Sequence, residues 1–372
     1  MTYYEARRAR VCDWMVREGI AMAMFEDTEG RRDPALRWLC GHPGDALLFL
    51  QADKRTLLVA WDISIARFHG EVDHISPYSD FGRRPIEALR NAAEFLKAPY
   101  GSRLEIPPVT PYPLFLQYLE ESGDYDILCR RNGLHDAVRD YRAVKDEEEI
   151  RIYHEAGAIT NGLIDQLEAG VREGVIKTEL DAALFLEAES RRQGCEGLGF
   201  ETLAAGPSRS FAIHAFPAYT SRDFGGPGMS ILDFGVQYQG YITDVTMSFV
   251  RGPLSRAQEK QISLVEKAAR TALPLMVSGA VARNIALAVD DLFGKARKVM
   301  PHGLGHGVGL ETHEAPALSS RAENTDVLKA GMIVTLEPGL YHPVLGGCRL
   351  ENDVLITDAG PQLLTNSRIV RL

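Results

Sequence analysis

The feature that most constrains this chain is a pair of acidic residues set inside apolar strand patterns. Residues 230–249 read SILDFGVQYQGYITDVTMSF, in which two strand patterns flank a turn at Gln237–Gly240. A hairpin with a two-residue tip would place Asp233 directly opposite Asp244, with their Cβ atoms about 5 Å apart on one face. Two buried carboxylates repel each other and lose hydration, so a shared proton or a cation would have to compensate. The alternative is that one aspartate belongs to the turn and that the register differs.

A second segment repeats this pattern. Residues 337–353 read EPGLYHPVLGGCRLEND, and Glu337 and Glu351 are placed symmetrically about Val344, whose neighbours are turn-forming proline and glycines. A hairpin centred there is predicted to bring the two glutamates together on one face. Taken alone the signal is weak, because glutamates in strands usually face solvent.

Between these acidic segments lies a loop that is rich in histidine and glycine. Residues 301–316 read PHGLGHGVGLETHEAP and contain His302, His306 and His313. A neutral imidazole is the commonest metal ligand in proteins, but this spacing does not say which histidine would ligate. Four carboxylates with one imidazole are typical of a site for two divalent cations such as Mn, Co, Fe or Zn.

Composition and charge exclude several other classes of protein. The formal net charge of −10 disfavours nucleic acid as a partner, and no apolar run approaches the length of a membrane-spanning helix. Five widely spaced cysteines and the lack of an apolar secretion signal favour reduced thiols and a cytoplasmic location. The acid surplus is concentrated late in the chain: residues 1–145 carry 20 basic and 22 acidic residues, and residues 146–372 carry 21 and 29.

The first part of the chain is predicted to form a small α/β domain over residues 1–143. A helical pattern at 4–18 ends at Gly19, and two later apolar runs flank a polar hairpin turn at Ala52–Arg55. No catalytic constellation is visible in this part of the sequence.

A second domain is predicted over residues 144–372. Its first helix begins within RAVKDEEEIR at 142–151, and further helices are predicted from Thr178, from Ser255 and at 282–298. Strand-rich stretches are predicted at 201–216, 229–250, 332–342 and 348–356. The expected fold class is therefore α+β.

The acidic and histidine-rich motifs together resemble those of the pita-bread metallopeptidases, the family of methionine aminopeptidase, aminopeptidase P, proline dipeptidase and creatinase. The motifs that carry the resemblance are DFGVQYQGYITDVT, GHGVGLETHEAP, TLEPG and RLENDVLIT. They are most similar to those of the proline-specific branch, especially the short prokaryotic proline dipeptidases. The resemblance implies a C-terminal pita-bread domain after a smaller α/β domain, and a homodimer that hydrolyses Xaa-Pro bonds in small peptides by a metal-bridging hydroxide.

The resemblance also implies a ligand set for two divalent cations, with manganese favoured. Asp233 would bind one cation, Asp244 and Glu351 would bridge both, and His306 and Glu337 would complete the other site. Glu337 would also move a proton from water to the leaving amine.

Five further residues receive roles from the resemblance. His313 would hydrogen-bond the scissile carbonyl, and His214 would line the substrate pocket. Arg349 would orient Glu351 or the substrate, and Thr246 would donate to a ligand carboxylate. His302 is expected to contact substrate or to support the ligands.

Departures from the family pattern leave the substrate open. Asn352 and Met247 differ from the residues that many relatives carry, and Ala317 replaces an arginine that some proline dipeptidases use to hold the dipeptide carboxylate, although Arg321 is nearby. An alternative function is a metal-dependent hydrolase or lyase for small molecules, of the ectoine hydrolase or dimethylsulfoniopropionate lyase type. A binding module without activity is disfavoured, because the ligand set is complete.

Overall fold

The computed structural model describes residues 1–372, which form two compact units, Met1–Tyr141 and Arg142–Leu372. Helices in the first unit are α1 Tyr3–Glu18, α2 Ala35–Cys40, α3 Ile63–His69, α4 Pro85–Phe95, α5 Tyr112–Glu121 and α6 Leu134–Arg142, which ends at the boundary. Its strands are β1 Ile20–Asp27, β2 Ala46–Gln51, β3 Thr56–Ala60, β4 His74–Pro77, β5 Arg103–Glu105 and β6 Asp126–Leu128.

The first unit is built on one mixed sheet with the strand order β4-β3-β2-β1-β5-β6. Helix α1 ends at Gly19, which has a left-handed φ of 68°. Glycine adopts this conformation at no steric cost because it has no Cβ. Every residue of β2 and β3 is buried, and the two strands pair antiparallel across the turn predicted at Ala52–Arg55. The predicted first helix and hairpin are confirmed.

Long helices and several small sheets make up the second unit. The helices are α7 Glu147–Arg172, α8 Glu179–Arg192, α9 Arg256–Ala272 and α10 Ala282–Lys295. The strands are β7 Gly197–Leu198, β8 Leu203–Ala205, β9 Gly228–Phe234, β10 Val236–Tyr238, β11 Tyr241–Ile242, β12 Val245–Arg251, β13 Gly305–Gly307, β14 Glu314–Leu318, β15 Ile333–Leu336, β16 Gly339–His342, β17 Gly346–Arg349, β18 Asn352–Thr357, β19 Gly360–Leu363 and β20 Ile369–Arg371.

Side-chain caps determine where these helices start. Thr178 accepts a hydrogen bond from the Asp181 amide, while the Asp181 carboxylate accepts one from the Thr178 amide. Ser255 and Gln258 form the same reciprocal arrangement at the start of α9. Such caps satisfy backbone amides that have no partner within the helix, so the predicted starts at Thr178 and Ser255 are confirmed. No helix of the chain combines the length and the apolar character that crossing a membrane would require.

The predicted hairpin around Val344 has the expected register. Strands β16 and β17 pair Gly339 with Arg349 and Tyr341 with Gly347, which is the symmetry that relates Glu337 to Glu351. The two glutamates therefore leave the hairpin on facing strands, directly beyond its last pairs.

The predicted register around Asp233 is wrong by two residues. Asp233 lies opposite Thr246, because the tip of the hairpin is formed by Gln239 and Gly240, which both have positive φ. The predicted register would have placed Tyr238 in the tip, whereas a two-residue turn of this kind favours glycine and polar residues. A shift of two residues leaves side chains on the same face, so both aspartates can still point to one side.

The stretch predicted as strand at 201–216 is mostly loop. Only Leu203–Ala205 forms a strand, and the chain from Gly206 to Thr220 follows turns. The four-stranded sheet β20-β12-β9-β8 and the five-stranded sheet β14-β13-β15-β18-β19 provide the remaining walls of the candidate site.

Candidate metal centre

A cavity of about 700 Å³ in the second unit gathers the acidic and histidine side chains that the sequence singles out. All but one of the predicted site residues line it: Asp233, Asp244, Glu337, Glu351, His214, His302, His306, His313 and Arg349. The exception is Thr246, which is fully buried behind the wall. Residues from three separate hairpins and two loops therefore converge on one space.

Asp244, His306 and Glu351 form the tightest group of potential ligands. One ligand atom from each lies within 4.8 Å of the other two, which is close enough for a single ion to contact all three. The Nε2 atom of His306 is 3.7 Å from Asp244 Oδ2 and 3.7 Å from Glu337 Oε1. The backbone amide of Asp244 donates to Asp353 Oδ2 at 3.1 Å, which fixes the chain beneath the group.

Asp233 offers a carboxylate oxygen that no protein group satisfies. Its Oδ2 atom accepts a hydrogen bond from the Arg349 guanidinium, whereas its Oδ1 atom is buried with no hydrogen-bond partner. An orphaned buried carboxylate oxygen is costly unless a cation or a water occupies the space beside it. The donor set therefore fits a hard or borderline divalent cation.

The electrostatics of the cavity also favour a bound cation. Burial raises the pKa of Asp244 well above its usual range, and the neighbouring Glu351 and Asp233 raise it further. The pKa of Glu337 is also raised well above its usual range, mainly by burial and secondly by repulsion from Glu351. Burial raises the pKa of Glu351 itself to about 7. These acids cannot all ionise near neutral pH without positive charge beyond the one guanidinium.

Two of the histidines are held neutral. Burial lowers the pKa of His306 to about 4, with a further contribution from His313, and burial lowers the pKa of His302 to about 4. A neutral imidazole has a free ring lone pair, which ligation requires. The Nδ1 atom of His306 faces the Gly307 carbonyl at 3.1 Å, so Nε2 is the nitrogen that faces the carboxylates.

The buried side chain of Arg349 hydrogen-bonds to residues that line or support the cavity. Its side chain is 2% exposed, and it donates to Asp233, to Thr246 Oγ1 at 2.8 Å and to the Tyr341 hydroxyl at 2.9 Å. The Tyr341 hydroxyl in turn lies 3.0 Å from His302 Nε2. The buried guanidinium is thus linked to both an acid and a histidine of the cavity.

Two residues that contact the site, Tyr341 and Asp353, were not among the predicted site residues, although their spacing in the sequence could have indicated them. Tyr341 lies in β16, four residues after Glu337, and Asp353 lies in β18, two residues after Glu351. Since side chains alternate along a strand, extending the face of each predicted glutamate would have found both. Asp353 is fully buried, and burial raises its pKa well above the usual range.

Two loops bring His214 and His313 to the cavity. His214 lies in the loop from Gly206 to Thr220, both of whose ends donate amide hydrogen bonds of 2.8 Å to the Glu179 carboxylate at the start of α8. Arg209, within this loop, also donates to Glu179. His313 lies in the loop between β13 and β14, and its ring centre is 4.2 Å from that of His306.

Removal of the Thr246 hydroxyl is expected to destabilise the metal-free protein. Thr246 donates to Glu351 Oε2 at 2.6 Å and accepts from Arg349, so Thr246→Val leaves two buried polar groups without a partner. We expect the free energy of unfolding to fall by about 1–3 kcal/mol in urea titrations at neutral pH. Thr246→Ser keeps the hydroxyl and is the matched control; equal stability of the two variants would contradict this role.

Comparison with known proteins gives a consistent result. Residues 151–358 match the model of metallopeptidase family M24. The Xaa-Pro dipeptidase of Pyrococcus horikoshii is 31% identical over 286 residues, which cover 76% of this chain and 79% of that protein. The Xaa-Pro dipeptidase of Pyrococcus furiosus is 34% identical over 235 residues, covering 62% of this chain and 66% of that protein.

Solved structures extend the similarity along the whole chain. The X-Pro aminopeptidase of Thermotoga maritima superimposes with a TM-score of 0.85 at 25% identity, covering 98% of this chain and 99% of that one. The recombinant prolidase of Thermococcus sibiricus has the same fold, with a TM-score of 0.83 at 24% identity and full coverage of both chains. The predicted α+β class with a pita-bread domain is thereby confirmed.

Proposed function

The chain belongs to metallopeptidase family M24, and from that premise we propose that it hydrolyses Xaa-Pro bonds in small peptides as a dipeptidase or an aminopeptidase. The observation that carries the proposal is that four carboxylates, of which those of Asp244 and Glu351 are buried, line one cavity beside the neutral His306. Two relatives named Xaa-Pro dipeptidase and a solved structure named X-Pro aminopeptidase support the choice of substrate.

We propose that the centre is dinuclear. Asp233, Asp244, His306, Glu337 and Glu351 would hold two divalent cations, with manganese favoured and cobalt, iron or zinc as alternatives. Four carboxylates balance the charge of two such ions, which accounts for so many acids in one cavity. When bound, divalent cations make water a nucleophile near neutral pH and polarise a carbonyl oxygen.

Glu337 is proposed to move the proton. Its carboxylate lies 3.7 Å from His306 Nε2 and 3.5 Å from His302 Nδ1, and the surroundings that raise its pKa favour a carboxyl group that can hold a proton near neutral pH. It would take a proton from the attacking water and deliver it to the proline nitrogen as the Xaa-Pro bond breaks.

The remaining side chains would bind and orient the peptide. His313 is exposed to the cavity and would donate a ring N–H to the scissile carbonyl oxygen, where negative charge develops. His214 and the apolar residues Phe200, Ile213 and Phe216 form a wall that suits the proline ring. Arg349 would act indirectly, since its donors are used within the protein wall.

The proposed oligomeric state and cellular location follow from the family resemblance. We propose a homodimer in the cytoplasm, as the family resemblance implies. Light scattering of the purified protein at micromolar concentration measures its mass directly, and a monomer of 41.1 kDa would contradict the first part.

A hydrolysis panel tests the proposed function. The purified chain is stripped with a chelator and assayed with Mn²⁺, Co²⁺ or Zn²⁺ on Xaa-Pro dipeptides, Xaa-Pro-Yaa tripeptides and matched Xaa-Ala peptides. We expect metal-dependent cleavage of the proline peptides and much slower cleavage of the alanine controls. Absence of proline-specific cleavage with every metal, together with turnover of ectoine or dimethylsulfoniopropionate derivatives, would replace the peptidase with a small-molecule enzyme.

A further inference from the structure

Two buried cations lie outside the cavity, in the segment that leads into α7. The side chains of Arg142 and Lys145 are only 3% and 0% exposed, although such residues are seldom buried without a partner. Both bind Glu314, whose side chain is 5% exposed: Arg142 donates to Oε1, and Lys145 Nζ donates to Oε2 at 3.1 Å. None of the three lines the cavity.

The Glu314 carboxylate also shapes the loop that separates His306 from His313. It accepts a hydrogen bond from the Glu311 amide at 3.2 Å. At Gly309 the loop passes so close to this carboxylate that a Cβ would overlap it. The loop is therefore folded around a buried anion that two cations hold from the other side.

The charges of this cluster compensate one another. Burial alone would raise the pKa of Glu314, but Lys145 and Arg142 outweigh it and hold that pKa below the usual range. Arg142 additionally contacts the half-exposed Glu311 carboxylate at 2.9 Å. Removing one member of such a buried cluster leaves an uncompensated charge, which costs far more than losing a surface ion pair.

We infer that Arg142, Lys145 and Glu314 form a positioning unit that holds His313 at the substrate carbonyl. Glu314 is the residue next to His313, and its carboxylate anchors the loop at Gly309 and Glu311, so a loop released from this anchor would let the imidazole move relative to His306. Misplacing a group by about 1 Å can cost about 100-fold in rate, even when the change lies away from the reacting atoms. The inference rests on the proposed peptidase activity for its kinetic part only.

The test compares Lys145→Met with Lys145→Arg, using Lys260→Met at an exposed lysine as the control. We expect Lys145→Met to lower kcat for an Xaa-Pro peptide by about 10–100-fold with KM changed less than threefold, and Lys145→Arg to restore most of kcat. Hydrogen–deuterium exchange of the metal-free protein should show faster exchange at 308–314 in Lys145→Met alone, with manganese stoichiometry unchanged in the loaded protein.

Several outcomes would overturn the inference. Wild-type kcat in Lys145→Met would do so, as would faster exchange throughout residues 142–372 with loss of metal, which indicates a role in folding only. If Lys145→Met does not fold, Glu314→Gln, which preserves side-chain volume, takes its place with the same criteria. If the wild-type chain proves inactive, the proposed function fails, while the exchange difference between Lys145→Met and Lys145→Arg still decides whether this cluster anchors the loop.

Discussion

Glu337→Gln is expected to abolish peptide hydrolysis without unfolding the protein. An amide cannot take a proton from water or return one to the leaving nitrogen, and general acid–base catalysis is typically worth about 10²–10⁴-fold in rate. The loss should therefore appear in kcat, measured under saturating Mn²⁺ on the best Xaa-Pro substrate. The ligand set is also weakened, so metal content is measured in the same samples.

Stability distinguishes a lost catalytic group from a damaged fold. In the metal-free protein the pKa of Glu337 is raised by burial and then by Glu351, so a neutral amide removes an unfavourable charge. We therefore expect the metal-free variant to be at least as stable as the wild type in urea at pH 8. Glu259→Gln, which changes an exposed carboxylate paired with Arg371, is the control and should keep full activity. Turnover within tenfold of wild type in Glu337→Gln would refute the assignment.

The local patterns of the sequence predict much of this site. Asp233 lies within a strand, the other three acids lie directly beside strand ends, and all four side chains reach one cavity. The hairpin about Val344 could be placed correctly because a proline and two glycines mark its turn. At Gln239 and Gly240 the turn contains one glycine only, and the register was predicted two residues away from the observed one.

Long-range contacts account for what the sequence does not reveal. The loop after Ala205 has the apolar composition of a strand, yet Glu179 binds both of its ends and so stabilises a turn structure that local propensity does not favour. Arg142 and Lys145 read as ordinary charges before a helix, and only the fold brings them to Glu314, about 170 residues later. Spacing cannot show such pairs, because neither partner has a distinctive neighbourhood in the sequence.

The loss of stability with rising pH that we expect for the metal-free protein should disappear when metal is added. In the metal-free protein burial raises the pKa of Glu351 from 4.5 to about 7, and burial and repulsion from Glu351 raise the pKa values of Asp244 and Glu337 well above their usual range. A raised pKa means that the folded state retains protons which the unfolded chain has released. The stability contributed by these groups is thus complete below about pH 4.5 and is lost as the pH rises through 7 and beyond.

Two histidines set the lower limit of the pH range in which the carboxyl groups determine how stability changes with pH. The pKa values of His302 and His306 are lowered to about 4, so the unfolded chain binds protons there that the folded state does not, and stability rises with pH up to about 6.5. Between pH 6.5 and 8 the carboxyl groups should dominate. There the free energy of unfolding should fall by about 1.4 kcal/mol per pH unit for each proton that the folded state retains.

Saturating Mn²⁺ should remove this loss, because bound cations displace the protons and favour the ionised carboxylates. At a free concentration of about 1,000 times Kd the ion adds about 4 kcal/mol to the free energy of unfolding. Affinity should increase with pH, so the gain measured by urea denaturation is expected to be larger at pH 8 than at pH 6.5. Glu351→Gln is the matched variant, since it removes one titrating group and should flatten the metal-free slope. A metal-free protein whose stability is constant or rises across this window, or one that Mn²⁺ does not stabilise, would show that these acids are not held together for a cation.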